Sequence, residues 1–77
     1  VIFLNDNITS MEFVVRVLKQ IFGKNQEQAD AITKRIHEEG SGVVGSYVHE
    51  VAEQKGIETT LLARQENFPL QVKVKKQ

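Results

Sequence analysis

The 77-residue sequence contains ten Lys and Arg residues and ten Asp and Glu residues. The resulting formal net charge of zero disfavours a general nucleic-acid binder, which needs a basic excess to neutralise phosphates. Hydrophobic residues make up 40% of the chain, which is typical of one globular domain. The lack of cysteine excludes disulfides, and the lack of a long apolar run excludes a membrane span.

The first residues predict a buried strand followed by a helix. Residues 1–4 are an apolar run, and the Asn-Asp-Asn segment after them is typical of a turn. Thr9 is predicted to cap the helix, because Glu12 three residues later completes a capping-box pattern. Gly23 is predicted to end this helix. Its apolar side chains recur at helical spacing: Phe13, Val14, Val17, Leu18 and Ile21.

A second helix and a second strand are predicted next. Asn25 and Gln28 repeat the capping pattern, and Gly40 is predicted to close the helix. The inner face of this helix is predicted to consist of Ala29, Ile32 and Ile36. Residues 41–42, Ser-Gly, indicate a turn, and residues 43–48 are predicted to form the strand.

The last part of the chain predicts a third helix and a third strand. The helix is expected over residues 49–65, although Gly56 inside it should cost about 1 kcal/mol relative to alanine. Pro69 cannot continue a helix. Residues 70–75 alternate apolar and polar side chains, which predicts a half-buried strand. Its inward side chains are predicted to be Leu70, Val72 and Val74.

The order β-α-α-β-α-β predicts an α+β fold. The simplest arrangement that buries each apolar face is a three-stranded antiparallel sheet with three helices packed on one face. The sequence lacks a phosphate-binding glycine loop, a zinc-protease motif and a nucleophile elbow. His37 and His49 have no further ligands at suitable spacing. We therefore expect neither enzyme activity nor a bound metal or cofactor.

Four segments together resemble the ClpS adaptor family. Residues 1–14, VIFLNDNITSMEFV, resemble that family's apolar strand followed by Asn-Asp-Asp-x-Thr-x-Met-Glu-Phe-Val. Residues 36–40, IHEEG, match its apolar residue, His and Gly, and residues 50–55, EVAEQK, match its Glu-Val-Ala-Glu-x-Lys. Residues 69–70, Pro-Leu, lead into the last strand as in the family. The segments follow the family's order and spacing and together cover essentially the whole chain.

The resemblance implies a fold like the C-terminal domain of the bacterial ribosomal stalk protein, which agrees with the predicted order. It also implies a non-enzymatic adaptor that recognises bulky N-terminal residues of substrate proteins (N-degrons beginning with Phe, Tyr, Trp or Leu). The implied second partner is the N-domain of ClpA or a related AAA+ unfoldase, which passes substrates to ClpP. No nucleic-acid or membrane partner is implied. A cytoplasmic location is expected, and the cysteine-free composition fits it.

The resemblance assigns roles to particular residues. The α-ammonium group of the substrate would be bound by Asn5, Asp6 and His37. The substrate side chain would enter a hydrophobic pocket lined by Thr9, Met11, Val14, Thr33, Ile36 and Leu70. The unfoldase would be contacted by Glu50 and Lys55. Without the resemblance, the same Asn and Asp residues are typical of a turn, and the Glu and Lys residues of a solvated helix face.

Two positions depart from the family's pattern. Asn7 replaces the second Asp, which removes a negative charge near the ammonium site. Thr33 stands where many members have Met, which is expected to reshape the pocket. Two other functions stay open, a stalk-like structural module and an adaptor that binds the unfoldase but not degrons. The adaptor domain is expected to span residues 1–77, without the flexible N-terminal extension that family members carry.

Overall fold

The secondary-structure elements occur in the predicted order. The computed structural model describes residues 1–75, which contain three strands and three helices. They are β1 (Ile2–Leu4), α1 (Met11–Gln20), α2 (Gln26–Glu39), β2 (Ser41–Val43), α3 (His49–Gln65) and β3 (Gln71–Lys73). The predicted β-α-α-β-α-β order is confirmed, and α3 has the predicted bounds.

The three strands form one antiparallel sheet with β1 in the centre. The strand order is β2-β1-β3, and Phe3 of β1 lies opposite Gly42 on one side and Val72 on the other. Residues directly opposite each other in antiparallel strands share a face, so these three positions define the inner face. Phe3 is fully buried there, whereas the neighbouring Val43 is 58% exposed. The sheet therefore has one covered and one open face.

The helices cover the inner face of the sheet. The ring of Phe22, just after α1, packs edge-on against Phe3 with ring centroids 5.5 Å apart. Gly56 of α3 faces β3, and a Cβ there would lie 3.4 Å from Val74 and 3.5 Å from Val72, in ordinary van der Waals contact. An alanine would therefore fit at this position of the helix. The rest of the core consists of Phe13, Val14, Val17, Leu18, Ala29, Ile36, Val44, Ala63 and Leu70.

The start of α1 differs from the prediction. Its N-cap is Ser10, whose Oγ accepts a hydrogen bond from the backbone N–H of Phe13 at 3.1 Å. The prediction of a capping box at Thr9 and Glu12 is wrong, because the Thr9 hydroxyl instead donates to the carboxylate of Asp6. The cap therefore belongs to the next hydroxyl residue along the chain, and Thr9 belongs to the loop before the helix.

A glycine in a left-handed conformation follows each of the first two helices. Helix α1 ends at Gln20, earlier than predicted, and Gly23 with φ 66° turns the chain towards α2. The predicted capping box of α2 is confirmed, since Asn25 and Gln28 each accept a hydrogen bond from the other's backbone N–H. Gly40 ends α2 as predicted, in a left-handed conformation with φ 85°.

The second strand lies earlier than predicted. Strand pairing covers Ser41–Val43, so the predictions of a turn at residues 41–42 and a strand at residues 43–48 are wrong. Gly42 pairs with Phe3 in the strand, and a Cβ at this position would come within 2.8 Å of Cγ1 of Ile36 on α2. This glycine therefore allows α2 to approach the sheet and does not mark a turn.

The third strand is shorter than the predicted range of residues 70–75, but its alternation is confirmed. Pairing with β1 is limited to Gln71–Lys73. The inward side chains are buried or half-buried, namely Leu70, Val72 and Val74. The outward lysines, Lys73 and Lys75, are exposed. Burial follows the predicted period of two even beyond the paired residues.

Candidate functional site

A small cavity lies where the end of β1, the start of α1, the end of α2 and the start of β3 meet. Ten residues line it: Leu4, Asn5, Asp6, Thr9, Met11, Val14, Thr33, Ile36, His37 and Leu70. All nine residues assigned above to binding an N-terminal residue are among them, so the fold brings the complete set together. Sequence reasoning missed Leu4, whose only signal is its place as the last residue of β1.

The polar end of the cavity is formed by the loop after β1 and the last turn of α2. The backbone N–H of Asn5 donates to the carbonyl of Gly40 at 2.9 Å, which ties this loop to the end of α2. Asn5 is thereby brought to the same cavity as His37, which lies in the last turn of α2. Because the C-terminus of a helix carries partial negative charge, this end of the cavity favours a cation.

Asp6 organises the loop between β1 and α1. Its Oδ1 accepts hydrogen bonds from the N–H groups of Ile8 at 2.8 Å and Thr9 at 2.6 Å, and its Oδ2 accepts one from the Thr9 hydroxyl at 2.7 Å. Burial acts to raise the pKa of Asp6, but these hydrogen bonds and the positive charge of Arg64 outweigh it and lower the pKa below its usual value. Because its pKa is lowered, Asp6 keeps its negative charge at neutral pH and contributes it to the polar end. Asp6 also shapes the loop that carries Asn5.

The other end of the cavity is apolar and narrow. Val14, Ile36 and Leu70 are buried there, with exposed fractions of 7%, 4% and 1%. The cavity has a volume of about 20 Å³, which is room for about one water molecule. Met11 also lines the cavity and is 51% exposed, which makes it the most exposed of the apolar side chains there.

A wider groove adjoins the apolar end of the cavity. This α1–α2 groove has a volume of about 540 Å³ and shares Met11 and Thr33 with the cavity. Thr33 is 4% exposed, and its Oγ1 has no hydrogen-bond partner among the described residues. Met11 and Thr33 therefore lie between the cavity, which is too small for an aromatic ring, and the α1–α2 groove, which is large enough to hold one.

The two residues assigned to unfoldase contact lie on α3, and neither lines the cavity. Glu50 is exposed in the first turn of the helix. Lys55 is half-buried, and its Nζ donates to the carbonyl of Ile21 at 2.7 Å. The same Nζ lies 5.7 Å and 5.2 Å from the ring centroids of Phe22 and Tyr47. Lys55 therefore joins α3 to the segment after α1, a structural role that its sequence context does not reveal.

Residues 1–75 contain neither a cluster of metal ligands nor a helix that could cross a membrane. No group of three or more His, Cys, Asp or Glu residues in this range is placed to hold a metal ion. Over the same residues, none of the helices combines the length and the apolar character needed to cross a membrane.

Comparison with known proteins points to one family. The family described as "ATP-dependent Clp protease adaptor protein ClpS" matches residues 1–73. Two proteins named as ClpS adapters, from Treponema denticola and Desulforapulum autotrophicum, are each 46% identical to this chain. The matches cover 99% and 100% of this chain and 75% and 74% of those proteins. The structure of Agrobacterium tumefaciens ClpS2 bound to L-phenylalaninamide is similar with a TM-score of 0.87 and 36% identity, over 91% of this chain and 84% of that one.

Proposed function

Because this chain belongs to the ClpS family of Clp protease adaptors, we propose that its cavity binds the N-terminal residue of substrate proteins. The α-ammonium group would lie at the polar end and the side chain at the apolar end. The observation that carries the proposal is the convergence of hydrogen-bond acceptors and apolar side chains from four segments on one cavity. L-phenylalaninamide, which Agrobacterium ClpS2 binds, offers the same two features, a free ammonium group and an aromatic side chain.

Both ends of the cavity would contribute to affinity. A hydrogen bond to a charged group contributes about 1.5–3 kcal/mol, and burying a Phe or Leu side chain contributes about 1.5–3 kcal/mol. Since association is itself costly, neither part alone should hold a peptide tightly, whereas both together reach roughly micromolar affinity. An acidic side chain would lose its hydration in the apolar end without gaining a partner, so Asp and Glu should be rejected.

Acetylation of the peptide's N-terminus should greatly weaken binding. It removes the positive charge and adds bulk, so the bonds to Asn5, Asp6 and His37 are lost and the dissociation constant should rise at least about tenfold. The measurement is fluorescence anisotropy with peptides that differ only at the first residue, namely Phe, Leu, Asp and acetyl-Phe. Equal affinity for the Phe and acetyl-Phe peptides, or no binding of either, would sink the proposal and favour an adaptor that docks the unfoldase only.

We further propose that the exposed side of α3 contacts a ClpA-type unfoldase. Glu50, Ile57 and Leu61 line one shallow groove on this helix, and both apolar side chains are 60% exposed. Exposed apolar side chains surrounded by polar residues are typical of an interaction surface. Lys55, whose ammonium group is engaged within the domain, would support this contact by holding α3 in place.

Reversing the charge at Glu50 tests this contact. Glu50→Lys should weaken binding to the unfoldase N-domain at least about fivefold, because a surface charge pair becomes a repulsion. Glu27→Lys makes the same charge change on α2 and serves as the control, with both variants measured by titration against the isolated N-domain. Equal weakening by the two substitutions would indicate a general charge effect and contradict a specific contact at α3.

The proposal also covers catalysis, location and the extent of the domain. We propose no catalytic role for the chain, since its family is described as an adaptor of a protease. The cytoplasmic location stays a prediction that rests on the cysteine-free sequence. That residues 1–77 act as one adaptor domain is likewise a proposal.

A further inference from the structure

The hydroxyl group of Thr33 is buried without a partner. Thr33 is 4% exposed, and its Oγ1 makes no hydrogen bond among the described residues. A helical threonine often bonds to the carbonyl four residues earlier, here that of Ala29, but this bond is absent from the described part of the chain. Buried polar side-chain atoms are nearly always hydrogen-bonded, and an unpaired one destabilises the fold. The Thr33 hydroxyl is therefore available to a ligand atom.

Thr33 lies where the far end of a bound side chain would arrive. Asn5, Asp6 and His37 mark the polar end of the cavity, and Thr33 precedes His37 by one turn, about 6 Å along α2. Thr33 and Met11 also separate the cavity from the α1–α2 groove. When the ammonium group of an N-terminal residue lies at the polar end, a bulky side chain needs more room than the cavity has. It gains that room most directly by displacing Met11 towards the groove, which brings its far end next to Thr33.

The neighbours of Thr33 cannot distinguish side chains by their polarity. Three of these neighbours are aliphatic, namely Val14, Ile36 and Leu70. Aliphatic side chains neither donate nor accept hydrogen bonds, so they can select a ligand only by its size and shape. Phenylalanine and tyrosine have the same ring and differ by one hydroxyl group. Oγ1 of Thr33 can sense this difference because it lines the cavity without a hydrogen-bond partner among the described residues, whereas the Thr9 hydroxyl already donates to Asp6.

We propose that Thr33 makes this chain prefer tyrosine over phenylalanine at the substrate's N-terminus, through a hydrogen bond between its Oγ1 and the phenol oxygen. The proposal rests on the proposed function, since it requires the ammonium group to be at the polar end. Tyrosine would satisfy the buried hydroxyl of Thr33, whereas phenylalanine would leave it unpaired. A site that hydrogen-bonds a substrate hydroxyl discriminates against the analogue that lacks it.

The test compares peptides that begin with Tyr or Phe and are otherwise identical, titrated against the wild-type chain, Thr33→Val and Thr33→Ser. Valine keeps the branched shape and removes the hydroxyl, whereas serine keeps the hydroxyl. The wild-type chain should bind the Tyr peptide about five- to tenfold more tightly than the Phe peptide. Thr33→Val should bring this ratio to about one or below, because the buried phenol would then lack a partner, and Thr33→Ser should keep it above about three. Binding of the Phe peptide shows that each variant is folded.

The outcomes separate the preference from the function on which it rests. A wild-type ratio near one, or a ratio unchanged by Thr33→Val, would overturn the preference while leaving the proposed function intact, because both peptides still bind. Failure of both peptides to bind the wild-type chain would overturn the proposed function and the preference together. A ratio lost in Thr33→Val and retained in Thr33→Ser supports the assignment of the hydroxyl.

Discussion

Replacing Asp6 with alanine is expected to weaken binding of a peptide with N-terminal Phe at least about 100-fold, because two effects combine. The substitution removes the negative charge at the polar end of the cavity. It also removes the acceptor of three hydrogen bonds that shape the loop, from the N–H groups of Ile8 and Thr9 and from the Thr9 hydroxyl. Asn5, whose side chain shares the cavity, belongs to the same loop and should lose its position.

Two further variants separate the charge of Asp6 from its role in the loop. Asp6→Asn keeps one acceptor oxygen for the backbone N–H groups but removes the charge, so it should fall between the wild-type chain and Asp6→Ala, at about a tenfold loss. Asn7→Ala changes an exposed neighbour that does not line the cavity and is the matched control. Anisotropy titration of the same peptide measures all three. If Asp6→Ala binds within about threefold of the wild-type chain, Asp6 has neither role in binding.

Replacing Phe3 with alanine is expected to have the largest effect on stability, a loss of about 3–5 kcal/mol. Phe3 is fully buried in the central strand, and its ring packs against Phe22. A domain of this size has a free energy of unfolding of roughly 4–12 kcal/mol, so this loss removes from about a quarter to all of it. Urea denaturation followed by circular dichroism measures the change.

Val43→Ala provides the control for Phe3→Ala on the same sheet. Val43 belongs to the adjacent strand but is 58% exposed, so its truncation should change the free energy of unfolding by no more than about 0.5 kcal/mol. Equal unfolding midpoints for Phe3→Ala and the wild-type chain would mean that the core is not centred on β1. Peptide binding by Phe3→Ala should fall with the folded fraction, since the cavity is assembled by the fold.

Local sequence patterns predicted the helices of this fold well where one face of the helix is buried and its capping residues follow a standard pattern. Helix α3 has the predicted bounds, and α2 has both of its predicted caps. The pattern failed at Gly42, because glycine is a turn signal in sequence whereas here it makes room for Ile36 on α2. That contact joins residues from different elements, so no local pattern could reveal it.

The candidate site was predictable as a set of residues but not as a geometry. The resemblance to the ClpS family named nine residues, and the fold places all of them around one cavity. The resemblance did not show that Asp6 holds the loop through Thr9, or that the ammonium group of Lys55 is already engaged. Nor could it show that the cavity is small and lies beside a much larger groove. These properties depend on side-chain positions in three dimensions.

The short strands have a consequence for a protein that works beside unfolding polypeptides. Each strand is three residues long, and the outer strand β3 ends in exposed Lys73, with exposed Lys75 two residues beyond it. Long, uncharged sheet edges recruit extended chains and promote aggregation, whereas short strands and lysines discourage such pairing. The sheet edges therefore give an unfolded chain little backbone to pair with, so the binding of a substrate's first residue proposed above would not bring co-aggregation with it.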